Sequence, residues 1–197
     1  MTDGLKRRPL VAEVLGERGD ALVVAGLGSP TWDLFAAGDR PENLYTWGGM
    51  GLALPTALGL ALAVPERRVL CITGDGEIMM GIGSLAVVAN QAPENLAILV
   101  LDNESFGETG QQRGLTAGPT DIAAIAAGAG ISATMTVRAG NQVADLAQFL
   151  FAAAGPRLAV AKIALTEEPW ALPEKDGATI ARRFREAIMG APRTTDR

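Results

Sequence analysis

The stretch RRVLCITGDGEIMMGIGSLAVV, residues 67–88, decides how the chain folds. An apolar run rich in β-branched residues ends in Gly74-Asp75-Gly76 and passes at once into a helical pattern, read as one helix over 77–91. A carboxylate between two glycines is poor core material. It suits a turn where backbone must come close to something charged. Alone, a Gly-Asp-Gly turn is ordinary surface chemistry. The next stretch of chain gives it weight. Twenty-five residues, Glu77 to Leu101, separate Gly76 from Asp102-Asn103, and they hold one helix and one returning apolar run, LAILVL at 96–101. A strand–helix–strand unit of this size is a right-handed crossover between parallel strands. Asp75 and Asn103 therefore reach the carboxyl ends of two strands, where open α/β sheets bind ligands. On neighbouring strands their side chains would start about 5 Å apart.

Two such side chains present hard oxygens, a donor set for Mg²⁺ or Ca²⁺ rather than zinc. They do not saturate an octahedral ion; a backbone carbonyl, a water and the phosphates of a ligand would complete it. Gly76 is read as opening the helix that begins at Glu77, so free N–H groups and the helix dipole face the same point. A metal beside a helix N-terminus is a diphosphate site.

Working outward, apolar runs at 21–25, 68–73, 133–137 and 158–165 read as further strands buried on both faces. Helical patterns fall at about 9–18, 31–37, 50–63, 120–129, 141–154 and 178–189, with Thr120 and Asn141 as caps. The piece GLALPTALGLALA alternates like a strand, but its Gly, Ala and Pro55 make it a helix. The alternation of strands and helices implies an α/β fold: a doubly wound, mainly parallel sheet with helices on both faces. One domain is expected over 1–197, with a core at about 10–165, an extended linker at 166–177 and a terminal amphipathic helix at 178–189. The closing GAPRTTDR is expected to fray.

Composition narrows the chemistry. Apolar residues make up 48% and aromatics 5% of 197 residues, and small Gly and Ala let helices sit close to a sheet. The net charge of −5 and the lack of a basic stripe exclude nucleic acid as a partner. The uncharged stretch from Asn43 to Pro65 carries Pro55 and Thr56 and reads as a buried helix with its approach loop, not a membrane span. The N-terminus is charged and amphipathic, unlike a signal peptide. One cysteine, Cys71, sits in an apolar run as a buried thiol, which fits a reducing cytoplasm. Histidine is absent, so acid–base chemistry falls to carboxylates, a cofactor or another chain.

GDG, twenty-five residues, then DN resembles the thiamine diphosphate (ThDP) binding motif of ThDP-dependent enzymes. Relatives more often carry two asparagines; here Asp102 replaces the first. The resemblance implies Mg²⁺ held by the Asp75 and Asn103 side chains and the Ser105 carbonyl, with Phe106 and Gly107 completing that loop. YTWGGMGLALPTALGLALA, residues 45–63, is similar to the segment that holds the aminopyrimidine ring. Gly48 would offer its carbonyl to the 4′-amino group, and the Met50 N–H would reach N3′. The Met50 side chain would wedge under the cofactor and impose its bent V form; a bulky, flexible side chain flanked by glycines suits that task. Gly28 and Ser29, in AGLGSPTWD after the first strand, would give an N–H and a hydroxyl to the diphosphate. Gly74, Asp75, Gly76 and Glu77 form the turn itself. A carboxylate at Glu77 repels a diphosphate unless it points outward or caps the helix, and its role stays open.

The family's mechanism needs a glutamate at N1′ of the pyrimidine, carried on a second, pyrimidine-binding domain. This chain is the length of one domain, and Glu13 and Glu17 lack the matching context. Within the family it resembles separate β subunits of sulfopyruvate decarboxylase and the matching half of phosphonopyruvate decarboxylase, as LDNESFGETGQQ and DGATIARRFREAI also suggest. That implies a subunit of a hetero-oligomer, α2β2 or higher, acting on a small 2-oxo acid with a second anionic group. Arg113 is a candidate for that group or a solvated arginine. Acetolactate-synthase-type carboligation and a non-catalytic ThDP-fold module are the alternatives. A 2-oxoacid:ferredoxin oxidoreductase subunit needs iron–sulfur cysteines beyond Cys71, and GLGSPTW lacks the third glycine of a dinucleotide fingerprint.

Overall fold

The computed structural model describes residues 4–166 and 168–190. In chain order its elements are α1 (Arg7–Gly16), β1 (Leu22–Ala25), α2 (Ser29–Ala36), β2 (Asn43–Tyr45), α3 (Ala53–Ala63), β3 (Val69–Gly74), α4 (Asp75–Met80), α5 (Ser84–Gln91) and β4 (Leu96–Asp102). Then come β5 (Ser105–Phe106), β6 (Gln112–Arg113), α6 (Ile122–Gly128), β7 (Ala133–Val137), α7 (Val143–Phe151), β8 (Arg157–Lys162) and α8 (Gly177–Met189).

Six strands form one parallel sheet in the order β2-β1-β3-β4-β8-β7. Alternate residues of each strand enter two separate cores. Leu22, Val24, Val69, Cys71, Ile98 and Val100 pack with α3, α5 and α6 on one face. Val23, Ala25, Leu70, Ile72, Leu99 and Leu101 pack with α1, α2 and α7 on the other. Burial on both faces explains why the strands read as uninterrupted apolar runs. The chain leaves β1 through α2 on one face and leaves the adjacent β3 through α4 and α5 on the opposite face. The two connections diverge at the carboxyl ends of β1 and β3, and that divergence opens a crevice.

Several expectations are corrected. The helix expected over 77–91 is two helices, broken at Gly81–Gly83, and it begins at Asp75 with Gly74 as its cap. Gly76 therefore lies inside the first turn rather than opening it. The helix expected from residue 50 starts at Ala53, leaving Met50–Leu52 in the preceding turn. The cap of α6 is Asp121, whose carboxylate accepts the Ala124 N–H at 3.0 Å, rather than Thr120. Before α7 a 3₁₀ turn, Gly140–Gln142, displaces the cap from Asn141; Gln142 Oε1 accepts from the Arg138 and Ala139 N–H groups. The last run leaves the strand ladder at Lys162 and makes one further bridge, Ile163 to Leu5, instead of running as a strand to residue 165. Strand β2 and the β5–β6 hairpin are additions.

The linker segment crosses the molecule in contact with it. Trp170 stacks on Trp32 with ring centroids 5.5 Å apart, and the Trp47 indole N–H donates to the Glu174 carbonyl. Helix α8 then packs beside edge strand β2, burying Ile180 and Phe184 and pairing Arg183 with Asp39 at 2.7 Å. It shields an edge that would otherwise stand open. Residues 191–197, expected to fray, lie outside the described residues. Among the described residues no helix is long and apolar enough to cross a membrane.

Candidate functional site: a crevice at the carboxyl ends of the strands

Strands β3 and β4 are immediate neighbours, and the register Gly74↔Leu101 sets Asp75 level with Asp102 and Asn103 one residue beyond. Both carboxylates are buried. The Thr116 hydroxyl stands between them, 3.0 Å from Asp75 Oδ2 and 2.8 Å from Asp102 Oδ1. One hydroxyl proton serves one acceptor at a time, so the second carboxylate has to be balanced otherwise. Lys162 does this for Asp102, its Nζ 2.8 Å from Asp102 Oδ2 and 2.8 Å from Glu104 Oε1. Asp75 has no cation among the described residues. Burial, and then the charge of Asp102, push its carboxyl up to about 6, against the pull of Thr116 and the Gly76 N–H. A group in this state favours any divalent cation that restores its ionised form. Asn103 Oδ1 accepts the Ser105 N–H at 3.0 Å, which orients the carboxamide at the start of β5.

The crevice wall is shaped by missing side chains. A Cβ on Gly76 would stand 2.6 Å from the Phe106 ring and 3.4 Å from the Met50 methyl, so both side chains close over this glycine. Gly28 holds φ +70°, in the left-handed region, and a Cβ there would overlap the Glu108 carboxylate. A cleft of about 210 Å³ results. Ser29, Met50, Gly74, Asp75, Gly76 and Glu77 line it together with Asn103, Ser105, Phe106 and Gly107. Gly28 lies behind Glu108, and Gly48 sits exposed, with open space where its Cβ would be. Ten of the twelve expected positions thus line a single cleft. Hard oxygens from Asp75 and Asn103, beside the first turn of α4 and the Gly28–Ser29 turn at the head of α2, suit a divalent cation carrying a diphosphate. Among the described residues no group of three Asp, Glu, Cys or His side chains is placed to hold a metal ion by itself. A cation here would draw the rest of its shell from backbone, water and ligand.

A family model for the thiamine pyrophosphate enzyme, C-terminal TPP binding domain, matches residues 31–161. The chain belongs to this family. It is 36% identical to a phosphonopyruvate decarboxylase of Streptomyces viridochromogenes over 89% of this chain and 44% of that protein. It is 37% identical to a sulfopyruvate decarboxylase subunit beta of Methanocaldococcus jannaschii over 64% of this chain and 65% of the relative. The chain thus spans less than half of the first relative and just under two thirds of the second. A solved structure described as a thiamin diphosphate-dependent enzyme from Mycobacterium smegmatis superposes with a TM-score of 0.69 at 26% identity. The likeness covers 81% of this chain and 32% of that one.

In this TPP-binding domain several residues near the cleft carried no mark in the sequence. Arg7 lines it, its Nη1 donating to the fully buried Asp33 at 2.6 Å; Arg8 shares that carboxylate at 3.0 Å. Thr116 stands thirteen residues beyond Asn103 in a connecting turn, with nothing local to announce it. Lys162 was findable, as a lone charge at the end of an apolar strand. Other candidates lie away from this cleft. Arg113 is exposed and donates to the Ala117 carbonyl instead of lining the cleft. Glu13 and Glu17 line a separate cleft between α1 and α7. Burial, reinforced by Glu77, pushes the Cys71 thiol far up, so it is inert.

Proposed function

We propose that the chain is a single diphosphate-binding domain serving as the β-type subunit of a heteromeric 2-oxo acid decarboxylase that uses ThDP and Mg²⁺. The observation that carries the reading is the pairing of Asp75 and Asn103 at adjacent strand ends around the Gly76 cradle, in a chain of this family. Bound ThDP supplies the electron sink for loss of CO₂ from the 2-oxo acid. The protein's own part is holding and aiming. Asp75 and Asn103 would hold Mg²⁺ by their side chains, and Ser105 by its carbonyl. The Gly28 N–H and the Ser29 hydroxyl would take diphosphate oxygens, with Gly74, Glu77, Phe106 and Gly107 walling the site. Gly48 would offer its carbonyl to the pyrimidine amino group. Met50, already seated over Gly76, would set the bend between the two rings.

A separate pyrimidine-binding subunit completes this reading. Ligand pockets commonly run to about 300–1,000 Å³, and the cleft here holds about 210 Å³. A cofactor seated by its diphosphate would project beyond this chain into a partner carrying the N1′ glutamate. Two copies of each chain are the smallest assembly that repeats such a shared site about a two-fold axis. The relatives' names support sulfopyruvate, phosphonopyruvate or another 2-oxo acid with a second anionic group as substrate. A cytoplasmic setting is supported by the lone, buried cysteine.

The test is an aldehyde-release assay with sulfopyruvate, phosphonopyruvate and pyruvate, on the chain alone and with the pyrimidine-binding subunit that co-purifies with it. The expected outcome is no turnover by the chain alone in excess ThDP and Mg²⁺, and turnover by the mixture. Robust turnover by the isolated chain would refute the half-site reading. Carboligation products without aldehyde would move the assignment to the acetolactate-synthase type.

A further inference from the structure

Glu77 takes no direct part in the chemistry above, and its carboxylate would repel a diphosphate. The structure turns it elsewhere. It is buried, and its Oε2 accepts the Thr73 hydroxyl at 2.9 Å. The same oxygen occupies the space a Cβ on Gly26 would need, so only glycine at the end of β1 admits it. Among the described residues the carboxylate makes this one hydrogen bond; Oε1 is buried without a partner, and the backbone N–H groups of Ala53 and Gly51 approach the carboxylate without closing a bond to it. Gly51 and Ala53 close the turn that carries Met50. A second contact joins the same two segments. The Gly51 carbonyl lies against the Cα of Gly81 so closely that a Cβ at Gly81 would overlap it, and Gly51 itself holds φ +90°. That passage of backbone accounts for the break between α4 and α5.

We infer that Glu77 is a positioning residue: anchored on Thr73 and fitted against Gly26, its carboxylate seats the Gly51–Ala53 turn and thereby fixes where Met50 stands over Gly76. The diphosphate turn and the wedge are then one mechanical unit, with α4 between them. The inference rests on the reading of Met50 as the wedge.

The test begins with the full chain free of cofactor. Amide hydrogen exchange is followed at Gly51 and Ala53 in wild type, Glu77→Gln and Glu77→Met. Exchange reports local opening, so Glu77→Met is expected to speed it at these two amides about tenfold or more, and Glu77→Gln about threefold. Amides of β3 and β4 should keep their rates. In the partnered complex loaded with ThDP, proton exchange at C2 should slow in the same order, while affinity for Mg²⁺ with inorganic pyrophosphate holds within about threefold. Unchanged exchange at Gly51 and Ala53, or acceleration spread evenly over the sheet, would overturn the inference. If Glu77→Met does not fold, the isosteric Glu77→Gln decides alone. The first measurement needs no cofactor, so an error in the Met50 reading would show only in the second.

Discussion

The bodies of β3 and β4 and their carboxyl ends are equally buried but hold opposite chemistry. Along the bodies, Leu70, Ile72, Ile98 and Leu99 are sealed between helices, each with apolar neighbours on its own face of the sheet. At the ends stand Asp75 and Asp102, with Glu77 and the Arg7–Asp33 pair close by, all buried as well. Burial stabilises the first group and costs the second, because a carboxylate removed from water must be compensated. Asp102 has Lys162, and Asp33 has Arg7 and Arg8; Asp75 has the shared Thr116 hydroxyl and the Gly76 N–H but no cation among the described residues. Asp75 and Glu77 are thus buried carboxylates without a cation among the described residues, and Asp75 stands at the point where ligand binding is expected. Stability surrendered at a site is a common counterpart of function.

The comparison breaks most visibly at Asp75. Asp75→Asn should cost at least about 100-fold in Mg²⁺-dependent ThDP affinity, the upper end of what loss of an outer-shell partner costs a metal site. The same change should raise the melting temperature of the cofactor-free chain. A folded carboxyl shifted up to about 6 destabilises the protein as pH rises from the unfolded value toward 6, and the penalty is full above that. The gain from Asp75→Asn is thus expected to be larger at pH 8 than at pH 5. Calorimetry of binding and thermal melts at the two pH values measure both effects. Equal melting temperatures at pH 8 would show that Asp75 carries no such burden.

A strand body should respond in the opposite sense. Leu99→Ala, deep in the second core, should lower unfolding free energy by about 2–5 kcal/mol. Cofactor affinity of the fraction that stays folded should be unchanged. Denaturant unfolding and calorimetry on one sample check this, and a selective loss of affinity would contradict the separation of body from end.

The smallest effect sharpens the role of Lys162. Lys162→Met leaves Asp102 buried without its cation and should cost about 1–3 kcal/mol, below the range for fully buried pairs because Lys162 is partly solvated. Asp102→Asn should cost less than about 1 kcal/mol, since the amide still accepts from Thr116 and Lys162 retains Glu104. Melting curves of both variants decide it. Equal losses would mean the pair acts only as packing.

The strand bodies were legible because burial on both faces writes one uninterrupted apolar word, as in VLCIT and LAILVL. Asp75, Asn103 and the residues about them were legible because a loop-bounded crossover fixes which residues reach adjacent strand ends. What escaped depended on distant segments. Gly81 and Gly83 weaken a helix but do not say that it breaks, because what occupies the gap is the Gly51 backbone arriving from thirty residues earlier. Thr116 and Arg7 reach the crevice through turns with no periodicity to read. Strand β2, three residues long, offers too little pattern to separate from a loop, and Thr120 reads as a cap although its neighbour Asp121 is a residue type that caps as well. Glu77 was visible as an anomaly, but its partners Gly26 and Thr73 became partners only in three dimensions.

The order of the sheet also sets the order of assembly. β8 is the last strand made, yet it sits between β4 and β7, its residues from Arg157 onward pairing with Ala97 and beyond on one side. Until it emerges, β4 has a bare edge and β7 has no strand to join, so neither half of the sheet can close. Contacts this distant along the chain slow folding and prolong exposure of unpaired edges. A ribosome must therefore deliver the chain through Lys162 before the crevice at the strand ends has a stable floor.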